Sequence, residues 1–108
     1  MKFEATSINT QLEILKRKLG GELTSPITIA DAAFTNGVCK AGNPIAADGT
    51  VANDATAIGI LWNDVTDDNP NGAIIRAFAC VNEDNCNANA DITLATAAKD
   101  ALPLIVFD

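Results

Sequence analysis

The chain has no histidine and no tyrosine, and its only serines, Ser7 and Ser25, fall in the first quarter. The usual proton shuttle at neutral pH and the hydroxyl nucleophiles that work with it are therefore missing, and no acid–base or acyl-transfer residue set can be assembled. A cysteine nucleophile would need a base to form thiolate. Lys40 beside Cys39 is the one adjacent candidate, and neighbouring residues of a strand point to opposite faces, so Cys39 reads as a small buried apolar residue. The 14 acidic residues offer many pairings, which leaves a carboxylate-pair hydrolase as a third reading that a conspicuous polar cleft would support, but with only 5% aromatics nothing in the sequence groups them with an aromatic-lined cleft. Gly20-Gly21 is the only glycine pair and follows an expected helix instead of opening one, so it does not read as a phosphate loop. The expectation is a protein that is not an enzyme and uses no cofactor.

Three cysteines without histidine make neither a zinc ligand set nor a closed disulfide framework. Reduced thiols in the cytoplasm where the chain is made are expected, and the spacing of Cys80 and Cys86 leaves their later pairing open. No apolar run approaches the roughly 18 residues of a membrane span, and the opening MKFEATSINTQ has no signal-peptide pattern, so neither membrane insertion nor export is expected. Basic residues are few, 7 against 14 acidic, for a net charge of −7. Lys2, Lys16, Arg17 and Lys18 outnumber Glu4 and Glu13 in residues 1–18, so the acidic excess lies wholly in the remainder. Such a body repels nucleic acid and anionic lipid.

What is present is organised. Ile8, Leu12, Leu15 and Leu19 recur at helical spacing before the Gly20-Gly21 stop, which predicts a helix over 8–19, capped from Ser7 or Thr10. Three turns are marginal alone in water, so its leucine stripe needs something to pack on, either its own domain or another chain. This segment, 1–21, is expected to form an N-terminal helical arm, and 22–108 a β-rich body. Ile8, Leu12 and Leu15, with the basic Lys16, Arg17 and Lys18, are its candidate partner-binding residues.

Beyond residue 21 the apolar runs shorten and turn residues punctuate them every eight to fifteen positions. Strands are predicted over 27–30, 37–40, 50–52, 57–65, 73–81 and 104–107, with turns at 36–37, 48–49, 67–72 and 83–87. A short alanine-rich helix capped by Thr93 runs to Leu102, where Pro103 ends it. The expected fold is mainly β (α+β): a compact antiparallel sandwich or barrel-like domain with one short late helix. Gly59, inside Ala57-Ile-Gly-Ile-Leu61, marks a bulge or a close backbone approach. Asp67, Asn69, Asn71 and Gly72 imitate the opening of an EF-hand loop, but Phe78 stands where that loop needs its bidentate carboxylate, so a solvated hairpin turn is the reading and no metal is expected. Trp62 alternates with Ile60 and is read as core, with an interface anchor as the sharper alternative.

The order KAGNPIAADGTVANDATAIGILWNDV, then GAIIRAFACVN, then the alanine-rich helix and LIVF, resembles the head decoration and head fibre base proteins of tailed bacteriophages over residues 36–107. The resemblance is carried by Lys40-Ala-Gly-Asn-Pro44, Asp48-Gly49, Ala57-Ile-Gly-Ile-Leu61, the strand from Gly72 and the closing helix and strand. It implies a β-rich structural virion protein that forms a homotrimer on the outer capsid surface and clamps neighbouring subunits of the major capsid protein. The alternative of another class is a small carbohydrate or cell-surface binding module, which would ordinarily display several exposed aromatics.

Overall fold

The computed structural model describes residues 13–17 and 20–108. Nine strands and two helices follow one another in the order β1 (Leu15–Arg17), β2 (Leu23–Thr28), β3 (Val38–Cys39), β4 (Pro44–Ala46), β5 (Ala57–Leu61), β6 (Val65–Thr66), β7 (Asn71–Ala77), β8 (Ala79–Val81), α1 (Glu83–Ala90), α2 (Thr96–Asp100) and β9 (Ile105–Phe107). The described residues form a mostly β domain.

A four-stranded antiparallel sheet, β2-β7-β5-β4, lies at its centre. In its inner strands β5 and β7 the apolar runs are continuous because both faces are covered, whereas edge strand β2 is partly exposed. In the register Ile60 opposes Ile75 and Leu61 opposes Ile74, and since successive side chains point to opposite sides the two pairs enter different cores. Ile60 and Ile75 pack with Ile14, Val81, Cys86, Leu94 and Ile105, while Leu61 and Ile74 pack with Ile29, Cys39, Ile45 and Val65. The first core is closed by the sheet β1-β8-β9, whose β8–β9 pairing is parallel, and by the helices; the second by the β3–β6 pair and the segment containing Ala33 and Phe34.

Gly59 does what its position suggested. The β4–β5 register skips between Ile45 and Ala46, and a Cβ at Gly59 would lie 2.9 Å from the Ile75 carbonyl oxygen. The run expected as one strand over 73–81 is split at Phe78, whose φ of 58° turns the chain out of the central sheet and into the β1-β8-β9 sheet.

Two expectations about helices are corrected. The helical arm over 8–19 fails where it can be seen: Leu15–Arg17 is a strand antiparallel to β8, and Ile14 and Leu15 are buried in the first core. The leucine spacing was real, but pairing with an available sheet edge satisfies the backbone and buries Leu15 together with Ile14, and tertiary pairing outweighs weak local helix preference. Residues 8–12, 18 and 19 of that expectation lie outside the described residues. The turn expected over 83–87 is α1 instead. Asn82 caps it, its side chain accepting from the Asn85 amide at 3.1 Å, Glu83 and Asp84 favour the positive helix start, and Asp91 closes it in the left-handed conformation at φ 56°. The late helix is shorter than expected and begins at Thr96 after the extended cap residue Ala95, because Asn53 bonds both the Thr93 carbonyl (2.8 Å) and the Ala95 amide (2.8 Å) and so holds the preceding segment extended.

Candidate binding surfaces

The stretch Lys40-Ala-Gly-Asn-Pro44 is a loop clamped between β3 and β4. Asp64 accepts the Ala41 amide at 2.7 Å and the Asn89 side-chain amide at 3.1 Å, and its other oxygen lies 3.7 Å from the Lys40 ammonium. Asn89, reaching across from α1, also donates to the Ala41 carbonyl at 2.9 Å. Gly42, at φ 95°, rests against α1 so closely that a Cβ there would meet the Cys86 Cα at 2.7 Å and its carbonyl oxygen at 2.8 Å. The motif is thus the seat on which α1 sits. That helix has little apolar surface to offer, Cys86 being its one buried residue, and its asparagines hold it in place: Asn85 donates to the Glu13 carbonyl (2.8 Å), Asn87 accepts from the Leu94 amide (3.0 Å), and Asn89 binds the loop.

Beside this seat opens a cleft of about 710 Å³, walled by Ala33, Val38, Asn43, Val51, Asn89 and Ile92 among others. Lys40, Asn36 and Asp91 also contribute to its wall.

A second surface is apolar. Leu23, Phe78, Leu104 and Val106 are 50%, 55%, 56% and 58% exposed. They cluster by register: Leu23 pairs with Ala77 next to Phe78, the Phe78 amide donates to the Leu104 carbonyl at 2.8 Å, and Val106 follows on β9, at the edge of its sheet. A hollow of about 200 Å³ bounded by Ile58, Arg76 and Leu104 adjoins them. A corner that needs positive φ favours glycine or asparagine, and a phenylalanine there carries backbone strain of about 1–2 kcal/mol. Residues held in strained backbone conformations cluster at functional sites. The sequence pattern missed this surface because Phe78 reads as one more apolar residue of a long strand.

The residues singled out from the sequence are dispersed. Leu15 faces the first core, and Lys16 is exposed on β1 with its ammonium 3.7 Å from Asp108. Arg17 pairs with Cys80 through the backbone of β1. Ile8, Leu12 and Lys18 lie outside the described residues. Trp62 is half-buried against the first core. The EF-hand-like run is the β6–β7 turn, closed by the Asn69 amide on the Thr66 carbonyl at 3.1 Å. Cys39, Cys80 and Cys86 are buried, and no disulfide joins them. Burial, then the Asp64 charge, pushes the Cys39 thiol up to about 11, and burial, then Glu83, pushes Cys86 up to about 12, which leaves both protonated at neutral pH. Comparison of the chain with protein-family models, with curated proteins and with solved structures finds no match.

Proposed function

We propose that this chain is a structural virion protein, a head decoration protein that binds the outer surface of a tailed-bacteriophage capsid and stabilises contacts between major capsid protein subunits, as a homotrimer of sandwich-like domains. The reading rests on the resemblance over residues 36–107, and the positions that carry it have structural reasons to be spelled as they are: Gly42 seats α1 and Gly59 meets a neighbouring strand.

The observation that carries the binding role is the strained, half-exposed Phe78 among Leu23, Leu104 and Val106. Completing the burial of four such side chains contributes about 3–6 kcal/mol before the cost of association. Aromatic anchors ringed by smaller apolar contacts are typical of energetically dominant interface positions. In this reading the patch docks on the coat lattice. The N-terminal segment with Ile8, Leu12, Lys16, Arg17 and Lys18 supplies the attachment, while Leu15 acts from within the core to anchor that segment to the domain. A protein that binds only the expanded shell stabilises it by mass action, so no chemistry is required of it.

The test is co-sedimentation of the purified chain with heads prepared without it from the phage that encodes it. Wild type pellets with expanded heads, and Phe78→Ala and a chain starting at Glu13 pellet less. Wild type remaining in the supernatant, or both variants binding undiminished, overturns the reading.

A further inference from the structure

Asn43 has hydrogen bonding that the fold leaves half complete. The residue is only 8% exposed; its Nδ2 donates to the Lys40 carbonyl at 2.9 Å, and among the described residues no donor reaches its Oδ1. A carbonyl oxygen taken from water without a donor is a destabilising feature, and a native structure that keeps one draws a partner from outside the chain, an ordered water or a ligand that takes its place. Asn43 forms part of the cleft wall, so the partner comes from there.

The rest of the wall restricts what that partner is. Asn89 spends its Nδ2 on Ala41 and Asp64, and among the described residues its Oδ1 receives no donor. Asn36 adds an exposed amide. The Lys40 ammonium faces Asp64, Asp91 is acidic, and the chain as a whole carries −7, so the cleft does not select an anion. Ala33, Val38, Val51 and Ile92 give an aliphatic floor. Three backbone amides on the rim are already used: Thr35 and Val38 bond each other at 2.9 and 3.1 Å, and the Thr50 amide bonds Asp48 at 3.1 Å. An extended peptide would find those three positions closed to strand pairing. We infer that this cleft binds a neutral, hydroxyl-bearing ligand of the saccharide class, whose O–H groups donate to Asn43 Oδ1 and Asn89 Oδ1 while its C–H face lies on the aliphatic floor. The volume falls within the range of small-ligand sites. Side-chain amides that both donate and accept suit hydroxyls that do the same. The site needs no aromatic platform, which accounts for its invisibility in a chain so poor in aromatics. It is independent of the decoration role and of the Phe78 surface.

The experiment is a titration of the full chain, labelled with ¹⁵N, against glucose, galactose, N-acetylglucosamine and maltose, following the side-chain amide resonances of Asn36, Asn43 and Asn89. At least one sugar is expected to shift Asn43 and Asn89 saturably, with a dissociation constant on the order of 1–10 mM. Val51→Trp, which fills the cleft from an exposed position, weakens that binding at least tenfold; Ala32→Trp serves the same purpose if the first variant does not fold. The inference is overturned if no sugar gives a saturable shift, if both plugged variants bind as wild type does, or if a neutral alanine–glycine peptide moves these resonances and the sugars do not.

Discussion

Replacing Gly42 by alanine tests the seat of α1. At φ 95° an L-residue is strained by about 1–2 kcal/mol. The new Cβ would also stand 2.7 Å from the Cys86 Cα and 2.8 Å from its carbonyl oxygen, both backbone, so α1 must move away as a body. Overpacking of this kind typically costs about 1–3 kcal/mol. Displacing α1 would also stretch the Asn89 bonds to Ala41 and Asp64. The expected loss is about 3 kcal/mol, a large part of the 5–15 kcal/mol available to a domain and roughly 12–24 °C in Tm at this size. Urea unfolding followed by circular dichroism measures it, with an unchanged m-value showing that the native state keeps its compactness. Gly21→Ala is the control, since nothing lies within 4 Å of that Cβ and no positive φ is recorded there; it should be neutral or stabilise by up to about 1 kcal/mol. A Gly42→Ala loss below about 1 kcal/mol would show that α1 rides loosely on the loop, and the reading of Lys40–Pro44 as its seat would be wrong.

The two perturbed thiols predict alkaline weakening. Their folded-state pKa values, about 11 for Cys39 and about 12 for Cys86, lie above the ordinary value of 9.0, so the unfolded chain releases protons first as pH rises. Stability is therefore intact below pH 9 and falls above it until the folded thiols ionise, by up to about 1.4 kcal/mol per pH unit for each thiol. Urea midpoints measured across this interval for wild type and Cys86→Ala check it: the slope should be shallower in the variant, and equal slopes would refute the assignment. At Phe78, glycine in place of phenylalanine relieves the left-handed backbone but frees the unfolded chain, so stability should stay level or rise by up to about 1 kcal/mol while shell binding falls. A clear loss of stability would mean that the ring serves the fold, and Phe78 would no longer mark an interface.

Much of the architecture was legible from residue 22 onward because turn residues and short apolar runs respond to local rules. Asn36-Gly37 and Asp48-Gly49 both sit in turns, and the cores of the strands near 38–39, 57–61, 73–77 and 105–107 fall where the runs do. The failures have separate causes. The strand expected over 50–52 is reduced to an isolated bridge from Val51 to Ile45, within a strand at Pro44–Ala46 that the pattern did not show. A helix held by side-chain amides to distant carbonyls has no apolar period, so EDNCNANA read as a turn, although Asn82 and the acids after it were capping signals. At Leu15–Arg17 a helical apolar period with a sheet edge within reach became a strand, so the leucine spacing misled there in the opposite direction. Neither surface was visible, because Asn43 and Phe78 acquire meaning only from burial and backbone conformation.

The two surfaces also differ in how the fold maintains them. One wall of the cleft is built where Gly42, Asp64 and Asn89 tie the loop and α1 together, so that wall is preorganised and a ligand need order little of it on entering. The apolar patch sits at a strand corner and on an edge strand of three residues, where few hydrogen bonds resist movement. Docking there can release the strain at Phe78 or hold it, and the two cases separate in the glycine variant. If the bound state keeps φ positive, glycine loses only the ring's contacts, and binding weakens by the burial of one aromatic, about 1.5–3 kcal/mol. If docking instead lets the backbone relax, the wild type gains that relief on binding and glycine has none to gain, so the loss exceeds the burial value by the strain of about 1–2 kcal/mol. Comparing Phe78→Gly with Phe78→Ala isolates this difference, since both remove the ring and only alanine retains the strain.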